Sequence, residues 1–469
     1  MPEYCKNCIH TPIYTRRDFL TRLGMGVGAL GLAALLNEDS LFAADAMDAS
    51  TAPLAPKAPP LPARAKRVLH VFAAGAPSQV DTWDPKPALA RYDGQTVGGR
   101  GVAMPSPFKF QRYGRCGMEV SEVFPHIAQH ADDIALIRSM YTDIPAHEIA
   151  TVMMNTGSRQ IPKPCLGSWT VYGLGSDNQN MPGFISLHNG GGLPPGGTQN
   201  WGSAFLPGIY QGTSINTQAA TVDQMIENIS SPYVSVPEQR RQLDLIHQLN
   251  ELQAQNLQKD AQLEARIEAY EIAFKMQAEA SDAFDIHKEP DAIQEAYGRT
   301  PQGRQMLIAR RLLERGVRFV QIWAGGWDHH QDLELRLPER AREIDQPMGA
   351  LLTDLKQKGM LDDTLVVWGG EFGRTPTRDR GGNATPGRDH NAKGFSLWMA
   401  GGGAKGGTIH GATDELGAAA VQDPVHIHDL HATILRLLGF DHTQLTYRYN
   451  GRDFRLTDIS GNIVKALIA

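Results

Sequence analysis

Short, almost uninterrupted apolar runs punctuate this chain: Val68-Leu-His-Val-Phe72, Asp133-Ile-Ala-Leu-Ile-Arg138, Val317-Arg-Phe-Val-Gln-Ile-Trp323, Thr364-Leu-Val-Val-Trp368 and Phe395-Ser-Leu-Trp-Met399. Runs of four to eight such residues without polar alternation predict strands buried on both faces. Helical spacing fills residues 301–315 and 338–358, and a helix over 427–438 ends at Gly439. Strands alternating with helices predict an α/β protein with a mostly parallel sheet covered by helices on both faces, its ligand site beyond the carboxyl ends of the strands. Residues 236–281 have leucine and isoleucine at spacings of three and four on a polar background. They read as a helical insertion packed on the sheet domain, because heptads are not sustained. The Gly/Pro-rich stretch 188–213 reads as a long surface loop.

The front of the chain follows a different pattern. Thr15-Arg16-Arg17-Asp18-Phe19-Leu20 precedes a weakly apolar Gly/Ala stretch from Leu23 to Leu36, with Ala43, Ala44 and Ala46 as small residues for cleavage. This predicts a twin-arginine signal over residues 1–44, engagement of the twin-arginine export machinery and a periplasmic or extracellular destination, with no stable membrane span after cleavage. Residues 45–65 are Ala/Pro-rich and read as an extended tether, so the folded body is expected over 66–469. Cys5 and Cys8 would leave with the signal, while Cys116 and Cys165 remain as one available pair whose approach the sequence does not define. In 469 residues, Lys and Arg total 45 against 51 Asp and Glu, a net charge of -6. Nothing here supplies the basic footprint a nucleic acid requires.

Imidazoles and carboxylates gather just past the expected strand ends, which is how a parallel sheet assembles a divalent-metal site. After the first strand comes Gly75-Ala-Pro-Ser78-Gln-Val-Asp81-Thr-Trp-Asp84, and after the second Asp143-Ile-Pro-Ala-His147-Glu148. After the third comes Gly325-Gly-Trp-Asp328-His329-His330, after the fourth Gly369-Gly-Glu371-Phe-Gly-Arg374, and before the fifth Gly387-Arg-Asp389-His390-Asn. Each has an ordinary structural reading as well: Asp81 and Asp84 compete for one role and aspartate is a common turn residue. Glu371 could cap or pair, His390 could be a loop histidine, and Arg374 could bind an anionic oxygen or hold Glu371. His147-Glu148 begins a zinc-protease pattern, but Thr151 stands where the second histidine belongs. His426, His428 and His431 read as capping and surface residues.

The runs Gly75-x-Pro-Ser-Gln-x-Asp-Thr, Arg138-Ser-Met-Tyr-Thr-Asp, Met154-Asn-Thr-Gly157, Gly326-Trp-Asp-x-His330, Gly370-Glu-Phe-Gly-Arg-Thr-Pro376 and Gly387-Arg-Asp-His-Asn391 closely resemble the domain-of-unknown-function family fifteen-oh-one, DUF1501. That family looks like a branch of the alkaline phosphatase and sulfatase superfamily. The resemblance implies an alkaline-phosphatase-like fold, one or two divalent metals at strand ends, and hydrolysis of phosphate or sulfate esters of small molecules or polysaccharides. Counting back from Thr156-Gly157 places His147 where the superfamily has its Ser, Thr or Cys nucleophile. His147 is thus expected as an atypical catalytic residue, either metal ligand or general base, with Arg374 beside it. The resemblance further implies Asp81, Asp328, His330, Glu371 and His390 as metal ligands, for zinc, manganese, iron or calcium. The competing reading is a non-catalytic envelope protein for binding or assembly, because the usual nucleophile is missing.

Overall fold

The computed structural model describes residues 53–469 apart from 98–100, 161, 220, 227–232, 257–266, 268–269, 273, 277–281 and 380–384. The expected twin-arginine signal, Cys5 and Cys8, the first part of the tether, and much of the second half of the 236–281 insertion lie outside the described residues.

Among the described residues, a sheet of nine strands forms the centre. Those that position the site are β1 (Arg67–Phe72), β2 (Ile134–Tyr141), β3 (Phe184–His188), β4 (Thr213–Asn216), β5 (Phe319–Trp323), β6 (Thr364–Gly369), β9 (Phe395–Ala400), β10 (Thr408–His410) and β11 (Val425–His426). A separate antiparallel ribbon pairs β7 (Gly373–Arg378) with β8 (Arg388–Asn391). The main sheet runs β10-β2-β9-β6-β1-β5-β3-β4, with β11 also on β2. Its pairings are parallel except the two made by β9, which is antiparallel to β6 and β2. All five expected strands are present. Strands β3, β4, β10 and β11 carry weaker apolar runs that the sequence pattern does not flag.

Alternation along the strands feeds two cores. Leu69, Val71, Val320, Ile322, Val366 and Trp368 face helices α4 (Pro301–Glu314) and α5 (Leu333–Gln357). Val68, Phe72, Phe319, Trp323, Leu365 and Val367 face helices α1 (His147–Thr156), α2 (Leu166–Leu174) and α6 (Ile427–Leu437). Helix α5 begins five residues before Pro338 and encloses both Pro338 and Pro347. The expected start at Pro338 was too late because its apolar stripe, Leu333, Leu337, Ala341 and Ile344, runs through the proline and buries completely. In the described part of the insertion, α3 (Val236–Asn256) buries Leu243, and Ile272 and Met276 each join one of the two cores. Cys116 and Cys165 are free thiols. No helix among the described residues is long and apolar enough to cross a membrane.

Residues 53–65 are extended as expected but form a strap against the body. Leu54 is fully buried, Leu61 N–H donates to Gly439 O (3.0 Å) and Arg64 N–H to Leu437 O (2.8 Å), while Ser176 N–H donates to Leu54 O (2.9 Å). The physical reason is mutual need: carbonyls at helix ends lack intrahelical partners, and the few N–H groups of a proline-rich strand supply them.

The histidines of α6 act in the same way. His431 Nε2 donates to Met154 O and His428 Nε2 to Gly157 O, both at 2.8 Å, closing the carboxyl end of α1, while His426 caps α6 itself. Burial pushes His431 down to about 3 and His70, on β1, down to about 4. The unfolded chain binds protons at these sites near pH 6.5 that the folded chain refuses, so their contribution is present above that pH and is lost as pH falls toward 4. At full linkage the two groups are worth roughly 3 to 5 kcal/mol each. Denaturant melts at pH 7 and pH 4.5 should show a steep loss of stability; a flat profile would contradict these two neutral imidazoles.

Candidate metal centre

Four chain segments meet beyond the carboxyl ends of β1, β2, β5 and β6. His147 opens α1 six residues after β2 ends. Asp328 and His330 lie in the turn after β5, and Glu371 lies between β6 and β7. His390 sits on β8 directly opposite Arg374 on β7. Two glycines permit this convergence. Gly75 has φ +104, and a Cβ there would lie 2.7 Å from Asp328 N; a Cβ on Gly387 would lie 2.3 Å from the His330 carbonyl carbon. A side chain at either place would push the β1 turn or the β7–β8 ribbon off the Asp328–His330 loop.

The donor atoms of His147, Asp328, His330 and His390 all lie within 4.8 Å of one another. Asp328 Oδ1 is 3.0 Å from His330 Nε2, 3.2 Å from His147 Nε2 and 3.6 Å from His390 Nε2. Every imidazole is anchored through its other nitrogen: His147 Nδ1 lies 2.5 Å from Glu371 Oε1, His330 Nδ1 2.6 Å from Asp379 Oδ2, and His390 Nδ1 2.8 Å from Pro145 O. A carboxylate or carbonyl oxygen can only accept, so each Nδ1 carries a proton and each ring turns its Nε2 inward, where a cation would take its lone pair. Yet His330 Nε2 and His390 Nε2 are only 3.0 Å apart. Two ring nitrogens at that distance need a proton or a cation between them. Three imidazoles with outward N–H groups held by oxygen acceptors, plus one carboxylate, are the donors and supporting contacts of a transition-metal site. These residues therefore fit a divalent ion.

Charge is balanced closely here. Burial opposes a charge on His147, but hydrogen bonds and attraction from Asp328 and Glu371 win and raise it to about 9 in the metal-free protein. Burial would raise the Asp328 carboxyl, but His147, His390 and Arg374 together hold it well below the usual carboxylate range. Burial, with Arg374 adding repulsion, pushes His329 down to about 4. Its ring packs edge-on against Trp327, away from the four donors.

Two residues expected as ligands are placed differently. Glu371 is fully buried and spends its carboxylate on His147 Nδ1 and on Gly75 N–H (3.0 Å), so it orients a donor. Asp81 is outside the cluster: Arg388 takes its two oxygens from Nε (2.6 Å) and Nη2 (3.0 Å), and Ser78 Oγ donates to it at 2.5 Å. Asp84 pairs with Lys86 at 2.9 Å. Arg374, expected beside the reacting groups, is fully buried and contacts Asp328 Oδ1 and His330 Nε2. Sequence reasoning missed Asp379, whose only signal was an acid just past the Gly-Arg-Thr-Pro strand, and the Pro145 carbonyl, which has no side-chain signal at all. Replacing Glu371 by glutamine is expected to weaken zinc binding about 10- to 100-fold while the fold survives, since the neutral amide no longer fixes the His147 tautomer. Zinc titration with a competing chelator checks this; unchanged affinity would show that the buried carboxylate does not support the donor.

Fold and site geometry together define an α/β protein with a three-histidine, one-carboxylate cluster at the carboxyl edge of a mostly parallel sheet. The sequence matches the family described as Protein of unknown function (DUF1501) over residues 65–468, and the chain belongs to that family. No curated protein matches it in sequence. Among solved structures it is similar to a sulfatase from Pseudoalteromonas sp. (13% identity over 80% of this chain and 68% of that one, TM-score 0.36). It is also similar to a protein in the alkaline phosphatase superfamily from Vibrio parahaemolyticus (11%, 82% and 70%, 0.35) and to the alkaline phosphatase from the Antarctic bacterium TAB5 (10%, 72% and 92%, 0.33).

Proposed function

We propose that this protein is an exported, metal-dependent hydrolase of phosphate or sulfate esters in which His147, standing where a nucleophile would be expected, is a metal ligand. The observation that carries the reading is the pair of inward Nε2 atoms of His330 and His390, 3.0 Å apart beside Asp328. A divalent ion held by His147, Asp328, His330 and His390 would supply Lewis-acid polarisation of an ester oxygen. The imidazole-rich donor set favours zinc, iron or manganese over calcium. With Nδ1 bound to Glu371 and Nε2 turned to the cluster, His147 has no nitrogen left to form a covalent intermediate, which assigns the attack to water. Asp379 and Glu371 fix ring orientation, and Arg374 fixes Asp328. The twin-arginine signal read from residues 1–44 supports delivery across the inner membrane.

The test is metal analysis of protein purified from the envelope fraction, followed by turnover of aryl phosphate and aryl sulfate esters with zinc, manganese or iron restored. Metal-dependent release of either product supports the reading. A bound ion with no turnover on phosphate, sulfate or sulfated polysaccharide substrates would favour a binding or assembly role, and no bound ion would remove the metal centre altogether.

A further inference from the structure

We propose that Arg374 is a gated donor for a tetrahedral oxyanion: one Nη1 hydrogen is committed to His330 Nε2 in the metal-free protein and is released to the oxyanion only when a cation takes that nitrogen. This deepens the metal-dependent reading above and rests on it. A guanidinium has five N–H hydrogens and no acceptor. Each has an acceptor here. Nε donates to Ala76 O (3.0 Å), Nη2 to Gly75 O (2.6 Å) and Asp328 Oδ1, and Nη1 to Arg388 O (3.2 Å) and His330 Nε2 (3.3 Å).

The five acceptors differ in what they can give up. Three are main-chain carbonyls, and Asp328 Oδ1 has lone pairs enough to take a hydrogen and a cation together. His330 Nε2 has a single lone pair in the ring plane, because Nδ1 keeps its hydrogen on Asp379, and that lone pair faces both Arg374 Nη1 and His390 Nε2. A cation in the cluster must take that lone pair and displace the Nη1 hydrogen. Arg374 cannot follow the displaced hydrogen elsewhere, since its side chain is fully buried and three carbonyls hold it in place. Loading the cluster therefore leaves a cationic N–H beside it without a partner. A buried unpaired donor demands an acceptor, and a guanidinium next to a divalent ion selects an anionic one. Phosphate and sulfate groups, free or esterified, share that chemistry.

Binding is then ordered, with metal first and oxyanion second, and by reciprocity the oxyanion tightens metal binding by the same factor. Inorganic phosphate and, separately, inorganic sulfate are titrated calorimetrically into metal-free and zinc-loaded protein, wild type and Arg374→Lys. The side-chain guanidinium signals of the wild type are followed by NMR. Metal-free wild type is expected to bind neither anion, and the zinc-loaded form to bind at least one. At zinc concentrations that saturate either protein, Arg374→Lys should lose tenfold or more in oxyanion affinity, because an ammonium is a point charge without the fixed fork. The Nη1 signal should move on adding zinc alone and again on adding the anion. Equal oxyanion affinity in both zinc-loaded proteins, or an Nη1 signal indifferent to zinc, overturns the gate while leaving the metal centre standing. Should the variant not fold, the wild-type signals decide. Failure of zinc to bind overturns both.

Discussion

His390→Ala is expected to lower zinc affinity by about two orders of magnitude and to change the stability of the metal-free protein far less. Apparent zinc-site energies of roughly 10 to 16 kcal/mol spread over four donors give about 3 kcal/mol per donor, or a little over a hundredfold. His390 is only partly buried, and its Nε2 lies 3.0 Å from that of His330. Removing it takes away the contacts to His330 Nε2, Asp328 and Pro145 O, each of them made at a partly solvated edge of the site. Thermal melts with chelator and with excess zinc separate the two effects: wild type should rise on adding zinc by RT ln(1 + [L]/Kd), and the variant should hardly respond. A His390→Ala protein that still gained the wild-type increment would end the claim that four donors share one ion. His431→Ala serves as the control, since it removes the Met154 cap and should leave zinc affinity unchanged.

The fold was legible because a parallel sheet writes itself as apolar runs: Val68–Phe72 and Thr364–Trp368 need no polar alternation when both faces are covered. The reversed direction of β9 was not, because an antiparallel strand buried on both faces has the same composition as its parallel neighbours. At the site, the glycine turns after β5 and β6 marked Asp328, His330 and Glu371, but side-chain identity cannot distinguish a ligand from the acid that anchors a ligand. Glu371 and Asp379 both serve imidazole Nδ1 atoms, a role that depends on a ring orientation set by tertiary packing. Asp81 illustrates the same limit more sharply, since it follows the first strand as a metal aspartate would. What redirected it is Arg388, more than three hundred residues later, whose guanidinium lies opposite it only once the β7–β8 ribbon has folded back.

That long-range pair sets the second large effect, which falls on stability. Asp81 and Arg388 are both fully buried, and Arg388 has further bonds to Met104 O (3.0 Å) and Thr375 O (3.2 Å). Asp81→Ala leaves a guanidinium in the interior without its counter-charge, a change that costs about 3 to 5 kcal/mol in comparable buried pairs. Such a loss is a large share of the stability of an ordinary domain. The double replacement Asp81→Leu, Arg388→Met should recover part of it, since neither charge is then stranded. Zinc affinity of the folded Asp81→Ala protein should fall by less than tenfold, and only through motion of His390 two residues beyond Arg388. A metal ligand would behave in the opposite way, with affinity falling about a hundredfold and the metal-free melt unchanged. Chelator-competed zinc titration and denaturant melts on the same sample therefore decide whether Asp81 holds the ribbon or the ion.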